Sequence, residues 1–327
     1  MSVVGTDPEL SERLAEGMRR SVLSFPLTPF AEDGSFAPKA FEAHLEHQLA
    51  AGPGAVFVGC GTGEFFSLGL GEFGDAVAAA VRRVDGAVPV VAGAGHGTPL
   101  AVEFARVARE AGADALLLLP PYLVGGTQAG LVEHTRAVAE AAGLPVIVYQ
   151  RAQAVYEPET LAKIARIPGV IGFKDGIGDL DRMQRLVRAV PEGLLFFNGT
   201  PTAELQARSY AAIGVPAYSS AVHAFAPEIA TAFFHALRAD DTAGTDALLD
   251  GFFIPWVRLR DRGPGYSVSL VKAVARTRAS VIGADVGPVR APLSAPEPAH
   301  LEEAERLLTA GLDLAAGLDL AADLPRR

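Results

Sequence analysis

Eight short apolar runs, each followed by a stretch with helical periodicity, limit what this chain can fold into. They lie at Val22–Phe25, Ala55–Gly59, Val88–Gly93, Ala115–Leu119, Val146–Tyr149, Val170–Phe173, Leu194–Asn198 and Pro216–Ser219, with starts 22–33 residues apart. That spacing suits repeated strand–helix–strand units. Leu116–Leu119 and Val146–Tyr149 are unbroken apolar runs, as expected of parallel strands covered on both faces. In Ala101–Ala111, Phe104, Val107, Ala108 and Ala111 share one helical face, while Glu103, Arg106 and Glu110 lie off it. A further helix is expected to open at Glu157-Pro158-Glu159, where proline and acids both suit a first turn. Eight such units predict an α/β fold, a (β/α)8 TIM barrel running from about Ser21 to Arg238. A doubly wound open sheet is the competing arrangement. With a preceding helix from Pro8 to Arg19, residues 1–238 form the first predicted unit. Pro255, Pro264 and Pro288 punctuate the remainder, so residues 239–327 are expected to be a C-terminal helical extension. The sequence from Ala310 to Ala315 repeats from Ala316 to Ala321, which fits one terminal helix and is too little for a solenoid.

Composition narrows the function. A net charge of -10 on 327 residues argues against electrostatic nucleic-acid binding. Cys60 is the one cysteine, which leaves no intrachain disulfide and fits a reducing, cytoplasmic setting. No apolar run approaches a membrane span. Arg19-Arg20 faintly resembles a twin-arginine export signal, but Pro26, Pro29 and Glu32-Asp33 interrupt the apolar segment such a signal needs. Four lysines, Lys39, Lys163, Lys174 and Lys272, stand against 24 arginines.

Barrel enzymes place their chemistry at the C-terminal ends of the strands. Here those ends read Gly61-Thr62-Gly63-Glu64, Tyr149-Gln150-Arg151, Lys174-Asp175-Gly176, Asn198-Gly199-Thr200 and Ser219-Ser220. Lys174 comes directly after an apolar strand. Burial there would lower its pKa and free a neutral amine able to form a Schiff base with a carbonyl. A structural pairing with a carboxylate such as Glu64 is the alternative. Tyr149 ends the neighbouring strand, where a phenol can relay protons or simply fill the core. Gly61-Thr62-Gly63-Glu64 is read as a turn opening a helix. Its amides and hydroxyl either hold a carboxylate or form a tight turn with Glu64 as a capping acid. Gly59-Cys60-Gly61 and Gly93-Ala94-Gly95 do not complete a dinucleotide fingerprint, since Glu64 and Thr98 stand where its third glycine belongs. His44 and His47 read as a surface helix pair without a third metal ligand. His96 and His223 fall near strand ends.

These strand-end residues resemble the Schiff-base lyases related to dihydrodipicolinate synthase and N-acetylneuraminate lyase, most closely their decarboxylating dehydratase branch. The resemblance rests on Gly61-Thr62-Gly63-Glu64-Phe65-Phe66-Ser67-Leu68, on Tyr149 with Arg151, and on Gly172-Phe173-Lys174-Asp175-Gly176-Ile177-Gly178-Asp179. Pro26-Leu27-Thr28-Pro29-Phe30, Asn198-Gly199-Thr200-Pro201, Ser219-Ser220-Ala221-Val222 and Gly287-Pro288-Val289-Arg290 add to it. It implies that Lys174 forms the Schiff base, Tyr149 relays protons, and Gly61 and Thr62 hold an α-keto carboxylate. Thr200 and Ser219 become secondary substrate-binding candidates. Arg151 is a candidate for the distal carboxylate of a diacid, through a bidentate contact.

The implied activity is conversion of 5-dehydro-4-deoxyglucarate to 2,5-dioxopentanoate, water and carbon dioxide, a step of glucarate catabolism. It needs no metal or organic cofactor, and the family implies a homo-oligomer, a dimer or tetramer. A Schiff-base retro-aldolase or synthase acting on another 2-keto acid, and a non-catalytic ligand-binding barrel, are the alternatives. Two departures stand out. The branch reads Tyr-Asn-Arg-x-Asn where this chain has Tyr149-Gln150-Arg151-Ala152-Gln153, so the pocket is expected to differ at Gln150 and Gln153. Leu123 comes after Pro121-Tyr122 where the synthases carry a second tyrosine, which removes their relay hydroxyl.

Overall fold

In the computed structural model, which describes residues 8–322, all eight apolar runs contribute strands. They are β1 (Leu23–Ser24), β2 (Ala55–Val58), β3 (Val90–Ala94), β4 (Ala115–Leu118), β5 (Val146–Gln150), β6 (Val170–Asp175), β7 (Leu195–Asn198) and β8 (Ser219–Ser220). Their order in the sheet is β7-β6-β5-β4-β3-β2-β1-β8, and every pairing is parallel. A parallel bridge between Asn198, the last residue of β7, and Tyr218, just before β8, joins the two edges. Consecutive order with joined edges makes a barrel, and the doubly wound sheet, whose strand order reverses, is ruled out. β1 and β8 are only two residues long. Pro26 stops the first soon after it starts, because proline has no N–H for the ladder.

Alternation along the strands sorts side chains into two layers. Leu23, Phe57, Leu117, Ile147 and Phe197 belong to the cluster that fills the barrel. The N-terminal helix Pro8–Arg20 adds Leu10, Leu14 and Met18 to that same cluster, so it stoppers one end of the barrel. Outward-facing Val56, Val58, Leu116, Val146 and Val148 pack against the surrounding helices, including Thr98–Glu110 through Ala101, Phe104, Ala105 and Ala108. A further cluster gathers Phe233 and Phe234 of Pro227–Arg238 with Phe252, Phe253, Trp256 and Leu270 from the C-terminal helices. The repeated tail lies within one helix, Pro298–Ala322, whose Leu312, Leu314, Ala315 and Leu318 lie in or against this cluster. No helix among the described residues is long and apolar enough to cross a membrane.

One expectation fails here. His44 is fully buried, and His47 is half-buried. The helix Pro38–Ala50 turns Phe41, His44, Leu45 and Gln48 inward. The Leu27 amide, beyond the short β1 ladder, donates to His44 Nε2 at 3.1 Å. A histidine that supplies a lost ladder acceptor reads in sequence like any polar helix residue. Burial pulls the imidazoles of both His44 and His223 down to about 3. In the unfolded chain they take up protons near 6.5, so stability falls as pH drops below that value. The slope is about 1.4 kcal/mol per pH unit for each histidine. Urea midpoints measured from pH 7 to pH 5 should decline, and His223→Gln should flatten that decline.

Candidate active site

The C-terminal ends of the strands surround a cavity of about 410 Å3, a size usual for small-molecule sites. Every sequence-predicted site residue reaches it. Lys174 comes from β6 and Tyr149 from β5, with Arg151 just beyond; Gly61 and Thr62 come after β2, Thr200 after β7, and Ser219 opens β8. Tyr149 and Lys174 are direct partners in the β5–β6 register, which places their side chains side by side.

Lys174 is 5% exposed. Its ammonium lies 3.8 Å from the Phe25 ring centre, 4.5 Å from that of Tyr149 and 5.7 Å from that of Phe197. Among the described residues no carboxylate forms a salt bridge with it. Burial lowers its pKa to about 7, and the nearby Arg151 cation pushes the same way. The Cys60 thiol, itself driven up to about 12 by burial, stays uncharged at neutral pH and supplies no counter-charge. The suggested pairing of Lys174 with Glu64 does not occur. Cation–π contact with the surrounding rings favours the charged form, but burial without a paired anion outweighs it, so the amine loses its proton more easily than a surface lysine.

Two glycines make room for this pair. A Cβ on Gly199 would fall 2.1 Å from Lys174 Cε, and one on Gly176 would fall 2.7 Å from the Tyr149 hydroxyl. The Tyr149 hydroxyl accepts a hydrogen bond from Arg151 Nη1 at 3.2 Å. Burial raises its pKa, so the phenol keeps its proton. Arg151 itself is exposed at the rim. The Thr200 hydroxyl donates to Asn198 Oδ1 at 2.9 Å, leaving its oxygen free to accept. Ser219 Oγ makes a long contact, 3.5 Å, with the Asn198 carbonyl.

Alternation turns the neighbours of this pair away. Gln150 and Asp175 come directly after Tyr149 and Lys174 and point outward. Gln150 Nε2 donates to Asp175 Oδ1 at 2.9 Å, and Gln150 Oε1 accepts from the Tyr156 amide at 2.9 Å. Asp175 also accepts from the Ile177 and Gly178 amides, each at 3.1 Å, and from the Tyr210 hydroxyl. Gln150 therefore shapes the loop instead of the pocket, against expectation, whereas Gln153 does line the cavity.

The turn after β2 also departs from its reading. Phe65–Ser67 is a single 3-10 turn, and the helix starts only at Leu70. Glu64 is no capping acid. Its backbone is left-handed, with φ 55, and its side chain is fully buried beneath the turn. There it meets Lys272 Nζ at 2.6 Å. Lys272 is the functional candidate that sequence reading missed. The available signal was a lysine inside Leu270-Val271-Lys272-Ala273-Val274, an apolar helical stretch, in a chain with few lysines. His96, in a left-handed conformation at φ 71, also reaches the cavity and stacks on Phe65 at 5.2 Å. His223 does not reach the cavity. It is buried behind β1, where its Nδ1 lies 3.1 Å from Ser24 Oγ. Among the described residues no group of histidines, cysteines and acids is placed to hold a metal ion.

The chain is similar to known proteins along nearly its whole length. The model of the dihydrodipicolinate synthetase family matches residues 18–311. A probable 5-dehydro-4-deoxyglucarate dehydratase 2 of Streptomyces coelicolor is 58% identical over 95% of this chain and 97% of its own length. One of the same description from Streptomyces avermitilis is 61% identical over 93% and 90%. The crystal structure of dihydrodipicolinate synthase from Bacillus clausii superposes with a TM-score of 0.81 at 27% identity, covering 90% of this chain and 98% of that one. With a family match across nearly the whole barrel and its C-terminal helices, the chain belongs to the dihydrodipicolinate synthetase family.

Proposed function

We propose that this protein is a decarboxylating hydro-lyase that converts 5-dehydro-4-deoxyglucarate to 2,5-dioxopentanoate through a Schiff base on Lys174. The observation that carries the reading is a buried lysine amine that lines the cavity beside the Tyr149 ring, with no salt bridge among the described residues. The Streptomyces relatives, by their descriptions, point to the same substrate.

The Lys174 amine attacks the C5 ketone and loses water to give an iminium. Gly61 and Thr62 receive the adjacent carboxylate; their amide N–H groups have no acceptor among the described residues. The iminium acidifies C4, and loss of one C4 proton gives an enamine. The enamine expels the C3 hydroxyl as water, leaving an unsaturated iminium. The C1–C2 bond then breaks, carbon dioxide leaves, and the electron pair flows to the iminium nitrogen. The resulting enol at C2 becomes the aldehyde on protonation at C3. Protonation at C4 and hydrolysis, which takes up the first water, release the product and the free lysine. Tyr149 carries protons between substrate and solvent side, and Arg151 holds the C1 carboxylate before it is lost. The lysine nitrogen is the electron sink.

The test is a product assay on the purified protein without added metal. Carbon dioxide together with 2,5-dioxopentanoate is the expected result; pyruvate would place the protein with the retro-aldolases instead. The pH profile gives a second check. Because only the neutral amine attacks, kcat/KM should rise about tenfold per pH unit below 7 and level off above it. An ordinary lysine would keep the rate climbing towards pH 10. Tyr149 stays protonated throughout this range, so no falling limb is expected from it.

A further inference from the structure

We propose that Lys272 is a positioning residue: through Glu64 it fixes the Gly61–Thr62 turn in the shape that receives the α-keto carboxylate. The proposal rests on the reading that this turn binds that carboxylate. The turn is held from behind at three successive points. The Thr28 hydroxyl donates to the Gly63 carbonyl at 2.7 Å. The Glu64 carboxylate receives Lys272 Nζ at 2.6 Å on one oxygen and the Arg290 amide at 3.1 Å on the other. Arg290 Nη1 donates to the Ser67 carbonyl at 2.8 Å. Lys272 Nζ also donates to the Thr28 carbonyl at 2.7 Å and lies 4.1 Å from the centre of the Phe30 ring. It thus joins the two strand-end loops that form this wall.

Both members of the pair are buried, at 1% and 0% side-chain exposure. A buried ion pair is seldom a net source of stability, but its directional bonds set one geometry. Geometry is what Glu64 needs, because its left-handed backbone is one that a non-glycine residue rarely adopts. Turning at Glu64 sends its side chain beneath the turn while Thr62, two residues earlier, lines the cavity. Lys272 belongs to the helix Tyr266–Thr277, whose Ser267 and Val268 also line the cavity. The C-terminal segment therefore supplies both a cavity wall and the anchor of the turn. Glu64 and Lys272 touch no reacting atom in this arrangement and act through Gly61 and Thr62.

The experiment compares two probes by borohydride trapping on Lys174: pyruvate, which carries an α-keto carboxylate, and acetone, which lacks it. Glu64→Gln keeps the shape and removes the charge; Lys272→Met removes the cation. Each should slow trapping of pyruvate by about tenfold or more, as misplaced binding groups do, and leave acetone within about twofold. An equal loss on both probes, or no loss on either, would overturn the proposal. So would failure of both variants to fold, which would assign the pair to stability alone. Thr62→Val separates the underlying reading. If neither it nor the pair variants change the preference for pyruvate, the turn does not bind the carboxylate; if the preference falls there but not in the pair variants, the positioning role alone is wrong.

Discussion

Lys174→Met should abolish turnover, with a loss of at least ~10^4-fold, because no other amine among the described residues lines the cavity to replace the nucleophile. The same variant should melt no lower than the native protein. Lys174 forms no salt bridge among the described residues, and its ammonium lies among the rings of Phe25, Tyr149 and Phe197. Methionine of similar length suits that apolar space and removes the cost of burying an ammonium. Steady-state kinetics and a thermal melt on one preparation check both halves. A catalytically dead but well-folded variant is the signature of chemistry; a dead and unfolded one would make Lys174 structural.

Tyr149→Phe should lower kcat by ~10^2- to 10^4-fold, the usual worth of a positioned proton carrier. The ring remains beside the ammonium, so the cation–π contact and the packing survive. Only the hydroxyl that receives Arg151 Nη1 is lost. Borohydride trapping should still label Lys174, because amine attack does not demand the phenol to the same degree as the later proton transfers. Kinetics beside trapping reads the difference. A variant that kept kcat within about twofold would move the relay to another group.

The barrel is legible in the sequence because parallel strands covered on both sides must be apolar throughout, and Leu116–Leu119 and Val146–Tyr149 advertise this. Lys174 and Tyr149 are legible for the same reason: each stands out at the end of such a run. The residues just beyond them are harder to read. Tyr149 and Gln150 are adjacent, yet one lines the cavity and the other does not, and an alternation offset of one residue decides the role. The Glu64–Lys272 pair joins positions 208 residues apart, and no local pattern announces such a partner. Backbone shape is hidden in the same way. Glu64, His96, Leu123 and Ala152 all adopt positive φ in the loops after β2 to β5, and of these only histidine is a type enriched there. Strain of this kind is sustained by surrounding contacts and gathers at functional sites, so a residue-by-residue propensity cannot find it.

Of the two departures, only Gln153 meets the cavity, so exchanging Gln153 should alter substrate preference more than exchanging Gln150. The absence of a second tyrosine after Tyr122 is equally local, with exposed Leu123 in its place at the mouth.

The most direct measurement is borohydride reduction of the native protein during turnover of 5-dehydro-4-deoxyglucarate, then intact mass and peptide mapping. A single stable adduct on the peptide containing Lys174, absent without substrate, is the predicted result. Turnover without any trapped adduct, or an adduct on Lys272 in place of Lys174, would contradict the Schiff-base assignment.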